Sequence, residues 1–166
     1  MGKLAVLALR AVILGLVAGT VFVQAVLVPI MIFDHDVNDP PLSQRLPIIV
    51  IIALGTVTAE VILFCVWKLV TMVKRGTVFS PAAFRHVDIV IGAFVFAALL
   101  TFGFGAALAP LGDETTPPAF VLLIGVAGLG VLGVALIVFV LRLLLAQAIA
   151  RDAQAAHLEA ELGEVI

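Results

Sequence analysis

Four long runs of apolar residues divide this chain: Ala11 to Phe33, Leu46 to Trp67, Ile89 to Leu108 and Phe120 to Leu141. Each is long enough to cross a hydrocarbon core of about 30 Å as an α-helix, which needs roughly 20 residues. None shows the alternation of period two that a membrane barrel strand requires, and a helix satisfies its backbone hydrogen bonds without a partner strand. The chain therefore reads as all-α: a polytopic four-transmembrane-helix bundle with a C-terminal cytoplasmic helical tail. Allowing for interfacial turns, the spans extend over about 11–33, 46–70, 87–109 and 118–141, so residues 1–141 form the membrane domain and 142–166 the tail.

Composition agrees. Of 166 residues 64% are hydrophobic and 12% charged, with a mean hydropathy of +1.33, outside the range of water-soluble domains. Four spans leave loops and one tail, with no room for a separate soluble catalytic domain. The first apolar run follows Lys3 and Arg10 and superficially resembles a secretory signal, but it continues to Phe33, too long for a signal core, so an uncleaved span is expected. Prolines punctuate the runs: Pro40, Pro41 and Pro47 near the start of the second, Pro110 after the third, Pro117 and Pro118 before the fourth. Pro29 falls inside the first run, where it should kink the helix or mark its last turn.

Basic residues set the orientation. Lys3, Arg10, Lys68, Lys74, Arg75, Arg85, Arg142 and Arg151 fall on one side and Arg45 alone on the other, so the first side is expected in the cytoplasm, with both termini, and the protein in the plasma membrane. The opposite loops carry Asp34, Asp36 and Asp39, then Asp113 and Glu114. Lys68 and Arg142 close the second and fourth spans, where their stems are expected to lie along lipid while the charges reach the interface, and Trp67 is an expected interfacial anchor.

Glu60 is the ionisable residue at mid-depth of the second span. Roughly 13 large apolar residues at about −0.4 kcal/mol each outweigh a carboxylate penalty of about +3 kcal/mol, so the span still inserts. The carboxyl group is expected either as a neutral acid or facing the bundle, bonded to a polar group such as Gln24 of the first span. Two roles follow from that placement: a proton or cation site, or an interhelical hydrogen-bond clasp. Gly15 and Gly19, four apart with Ala11 a turn earlier, make a small-residue stripe suited to close helix approach, within the bundle or between copies in a homo-oligomer; Gly125, Gly128, Gly130 and Gly133 are a less regular counterpart.

Catalytic chemistry finds no constellation. His35, His86 and His157 are far apart, so metal-ligand spacing is missing, and a solvated state is expected for each. No Ser, Thr or Cys stands near a His and a buried acid, and Cys65, alone in an apolar run, reads as a small hydrophobe. No catalytic, cofactor-binding or metal residue is assigned, no nucleic-acid binding is expected, and the protein is expected not to be an enzyme.

Two surfaces remain for partners besides the lipid bilayer. The inner loop runs from Lys74 to Asp88. Its Ser80-Pro81 pair is an N-cap and first turn, so a helix should start there, with Phe79 and Phe84 at the acyl boundary, Arg75 and Arg85 meeting phosphates, and Asp88 pairing with Arg85 or a neighbouring helix end. The tail, Leu143 to Ile166, lacks Gly and Pro before Gly163 and should continue the fourth helix. Ala148, Ile149, Ala155, Leu158 and Leu162 form an imperfect apolar stripe, while Asp152, Glu159, Glu161 and Glu164 make the distal part acidic, so it should stand off anionic lipid and is open to a protein partner.

The string Arg75-Gly76-Thr77-Val78-Phe79-Ser80-Pro81 with Phe84-Arg85 and Ile91-Gly92, the preceding Trp67-Lys68-Leu69 and the closing Glu161-Leu162-Gly163-Glu164-Val165-Ile166 resemble the bacterial four-span membrane family of domain of unknown function 2975. The likeness covers nearly the whole chain; Gly163 departs from the more polar residue that the family's tail carries. The resemblance implies no established activity. It implies a membrane-bound sensor or partner for a small cytoplasmic helix-turn-helix regulator, because members are often encoded beside one. From a different class, Glu60 alone raises the alternative of a small proton-coupled transporter working as an oligomer; a structural assembly subunit is a third reading.

Overall fold

The computed structural model describes residues 3–33, 41–74, 81–109 and 117–165 of the chain, nearly all of them helical. Helix α1, Lys3–Phe22, passes through a π-helical turn at Val23–Leu27 into α2, Val28–Phe33. Then follow α3, Leu42–Lys74, α4, Pro81–Leu108, and α5, Pro118–Val165. The four candidate spans are Val6–Phe33, Leu42–Val73, Ala83–Leu108 and Pro118–Glu161, each containing one of the four apolar runs. The chain is a multi-pass helical membrane protein. Because the number of spans is even, both termini emerge at one end, termed the basic end below after Arg10, Lys68, Arg85 and Arg142.

The helix starts follow from the prolines. Leu42 and Pro118 open α3 and α5 directly after Pro41 and Pro117, whose carbonyls accept from Gln44 N–H at 2.9 Å and Phe120 N–H at 2.9 Å. Pro81 is the first residue of α4, a position where a missing donor costs little, whereas Pro47 lies inside α3, at its sixth residue. Arg75, Gly76, Phe79 and Ser80 of the inner-loop motif, and the outer-loop residues Asp34, His35, Asp36, Asp39, Pro40, Pro110, Asp113 and Glu114, lie outside the described residues.

Pro29 neither ends nor sharply breaks its helix. Its ring would press on the carbonyl four residues back, Ala25, and it has no N–H to donate. The preceding turn widens instead: Val28 N–H reaches back five residues to the Val23 carbonyl, and the helix runs on to Phe33.

Packing follows chain order. The first span packs on α3, α3 on α4, and α4 most closely on α5, whereas among the described residues the first and last helices share no extended interface. The bundle is open, and the first span is its loosest member: 6% of the residues in its apolar centre are buried against 17% in the second and third spans. Small residues set the close contacts. Ala83, Ala98 and Ala135 are buried. Gly105 lies under Ile124, and Gly128 under the Phe102 ring, an antiparallel register that also brings Asp88 to Arg142. Gly15 and Gly19 have open space where a side chain would be, so neither serves packing within the chain.

The hydroxyls inside the spans are satisfied without water. Thr20, Thr58, Thr71 and Thr101 donate to carbonyls three or four residues back, at 2.7–2.9 Å.

Helix α5 continues from the fourth span through the tail without a break, passing Gly163. From Ala150 to Glu161 every side chain is exposed, with Leu158 at 59%, so Ala155 and Leu158 of the tail's apolar stripe are not covered by the described residues.

Candidate functional site

The polar groups at membrane depth gather between the first span and α3. On α3, Thr56 and Glu60 are one turn apart and share a face, and Phe64 and Trp67 extend it by two more turns. On the first span, the widened turn carries Gln24. Gln24 Nε2 donates to Thr56 Oγ1 at 3.1 Å, and the threonine hydroxyl in turn donates back to the carbonyls of Ala53 at 2.9 Å and Ile52 at 3.1 Å. The clasp expected between Gln24 and Glu60 is therefore made with Thr56 instead. The two helices run antiparallel in a register that puts Gln24 level with Thr56 and Arg10 level with Trp67, so Glu60 falls a turn below the amide.

Glu60 is half-buried. Its Oε1 is sealed from solvent and has no hydrogen-bond partner among the described residues. It lines a groove of about 410 Å³ between the two helices. The first span contributes Ile13, Leu14, Val17 and Val21; α3 contributes Leu63, Phe64 and Trp67 beside the carboxyl group. The walls are thus apolar and partly aromatic, with one acid.

Towards the basic end two of the groove's rings each carry a cation. The Arg10 guanidinium carbon lies 5.1 Å from the centroid of Trp67, and Lys68 Nζ lies 5.6 Å from that of Phe64, both within the range of a cation–π attraction. Trp67 is thus a platform for Arg10, whose Nε is buried without a hydrogen-bond partner. Lys68 is exposed, as a residue reaching from the span end should be.

A second polar contact fastens α4 to α5 near the basic end. Arg142 Nη2 donates to Asp88 Oδ2 at 3.0 Å, and Nε lies 2.8 Å from Oδ1 without the alignment of a hydrogen bond, so the pair is an ion pair carrying one hydrogen bond. The same guanidinium lies 5.9 Å from the Phe84 ring. These contacts decide one expectation and correct another. Of the two partners expected for Asp88, Arg85 or a neighbouring helix end, the structure gives the second, Arg142, while Arg85 is exposed on α4; and Arg142 is held by α4 and does not simply extend towards the interface. The acid and the base sit at matched heights on antiparallel helices, which outcompetes a contact along one helix surface.

The expectation of solvated histidines is also modified. His86 has an interaction partner, and His157 Nε2 lies 3.5 Å from Glu161 Oε1, one turn along the exposed tail. Cys65 is buried, 4% exposed. Among the described residues no three His, Cys, Asp or Glu side chains come together as metal ligands do.

Several members of the groove had readable signals. Thr56, Glu60 and Phe64 stand at spacings of four and Trp67 three beyond, one stripe of a helix face. Arg10 had none, because its ring partner is set by how the first span rotates against α3.

No curated protein and no solved structure matches this chain. The family model described as protein of unknown function (DUF2975) matches residues 34–166, from the residue after the first span to the end of the chain. One wall of the groove, with Glu60, thus lies inside the matched region, and the wall carrying Arg10 and Gln24 lies before it. With the second, third and fourth spans and the whole tail covered by the match, this chain belongs to the DUF2975 family of proteins of unknown function.

Proposed function

We propose that this chain is a non-enzymatic protein of the plasma membrane, with both termini in the cytoplasm, that acts as a sensor or docking partner for a small helix-turn-helix regulator. The observation that carries the reading is the unbroken α5, in which the span and the exposed acidic tail are one continuous helix. Any change in how α5 packs on α4 reaches the tail without a hinge to absorb it. The basic residues at one end of the spans support the cytoplasmic placement of the tail. Its acidic distal part suits a soluble basic partner better than the anionic lipid surface.

The test is gentle co-purification from native membranes, identifying whether a small DNA-binding protein stays bound and comparing the full chain with one truncated after Arg151. Retention by the full chain and loss on truncation is the expected result. A regulator held equally by both, or by neither, refutes the reading.

One observation favours the second reading, a small proton-coupled transporter working as an oligomer. It is the buried Oε1 of Glu60, a carboxylate oxygen open to a proton or cation. That reading predicts that Glu60→Gln abolishes substrate-driven proton movement in vesicles, and unchanged proton movement refutes it.

A further inference from the structure

We propose that the groove between the first span and α3 is a binding site for lipophilic ammonium compounds, with Glu60 as the counter-charge. The groove is built without any residue of the tail, so the site is independent of what the tail does. Three of its features define the occupant.

The first is an unanswered acceptor. Glu60 Oε1 is buried with no donor near it among the described residues, and the one amide that the facing helix offers at this depth, Gln24, is committed to Thr56. A buried carboxylate oxygen in that state favours an N–H donor, most of all a charged one. The second is shape. About 410 Å³ of apolar and aromatic wall, with a single polar group, matches the volume and chemistry of small-molecule sites. The third is access. Among the described residues the first span packs mainly on α3, and Leu14, Val21 and Phe64 on the groove's rim are each about half exposed, at 59%, 49% and 61%. A molecule dissolved in the bilayer thus reaches the groove sideways, without crossing the bundle.

Charge selects among candidates. An anionic amphiphile would bring a second negative group against Glu60. A hydrocarbon chain would fill the walls and leave Oε1 unpaired. A primary ammonium on an apolar body pairs the carboxylate at mid-depth and lays the body along Leu63 and Phe64. Arg10 and Lys68 already occupy ring faces at the basic end, so the ammonium enters at the Glu60 end, away from both.

Trp67 is the single tryptophan of the chain and lines the groove, so its emission reports occupancy. The experiment places the full chain in lipid nanodiscs and titrates it with phenylbutylamine and with phenylbutanol, its uncharged counterpart. In the wild type the amine should shift Trp67 emission saturably and at lower concentration than the alcohol. Glu60→Gln should weaken amine binding about tenfold to hundredfold, the worth of a charge-assisted hydrogen bond, and leave the alcohol unchanged. The unchanged alcohol shows that the groove is still formed. Val17→Phe, which fills the groove from the opposite wall, should weaken both. A chain truncated after Arg151 should bind the amine as the full chain does, which separates this proposal from the tail's role. Equal titration by amine and alcohol in the wild type, an amine preference that survives Glu60→Gln, or amine binding untouched by Val17→Phe would each overturn the assignment.

Discussion

Gly128→Ala tests how α4 and α5 are held together. The backbone there lies flat under Phe102: a Cβ at position 128 would stand 3.1 Å from both Cε1 and Cζ of the ring and 3.3 Å from Cδ1. Comfortable carbon–carbon separation is about 3.5–4.0 Å, so the ring must retreat by roughly half an ångström. Overpacking of this kind costs about 1–3 kcal/mol. Phe102 is 38% exposed and has room on its outer side, which puts the steric cost at the lower end, about 1–2 kcal/mol. Alanine's better helix propensity returns up to about 1 kcal/mol, so the absolute change is small and the comparison between sites carries the test. Gly125, Gly130 and Gly133 lie on the same helix with nothing within 4 Å of where a methyl would stand; alanine there receives the propensity gain without the clash. Unfolding in mixed micelles should therefore rank Gly128→Ala about 1–2 kcal/mol below Gly125→Ala and Gly130→Ala, the steric term alone. Trimming the ring in a Phe102→Leu background should abolish the gap. If all the alanine variants are equally stable, or if the gap persists without the ring, the close approach at Gly128 is not what aligns these helices.

Three further outcomes can be measured. Asp88→Asn should loosen the basic end of α4 against α5 by about 0.5–1 kcal/mol, because the side chains of Arg142 and Asp88 are 30% and 50% exposed and solvent screens the pair; a double-mutant cycle with Arg142→Gln should recover that coupling, and a zero coupling would show the ion pair to be idle. Thr56→Val should cost about 0.6 kcal/mol by stranding the Gln24 amide, while Thr20→Val, whose hydroxyl bonds only its own helix, should be close to neutral in the same unfolding assay. Cys65, 4% exposed between helices, should resist maleimide in the folded protein and react once denatured; rapid labelling of the native chain would mean that α3 is packed differently.

The spans were legible because a bilayer admits few solutions: each of the four apolar runs became a helix, and the prolines marked the starts of α3, α4 and α5. Glu60 stood out for the same reason, as a carboxylate at a depth where charge is costly. What the sequence did not carry was rotation. Gln24 and Glu60 were both recognisable as polar groups at similar depth, but which of Thr56 and Glu60 the amide meets depends on a register of one turn. The widened turn at Val23–Leu27 shifts that register, and only its cause, Pro29, was visible. Asp88 and Arg142 are separated by 54 residues, so the sequence left Arg85 and a neighbouring helix end as alternatives; antiparallel packing of α4 on α5 decided for the second. Gly15 and Gly19 read as a packing stripe, yet the first span turns its larger residues, Ile13 and Val17, towards α3.

The continuity of α5 has a mechanical consequence. Its 48 residues span about 72 Å at 1.5 Å per residue. Arg142, gripped by Asp88, lies near the point where the helix leaves the bundle and acts as a fulcrum. Beyond it some 23 residues to Val165 form an arm of about 35 Å. A rocking of the span by about 10°, well inside the range of tilts that membrane helices adopt, would swing the free tip by about 6 Å. A motion that scarcely disturbs packing in the membrane thus becomes, at the acidic end of the lever, a displacement larger than a helical turn.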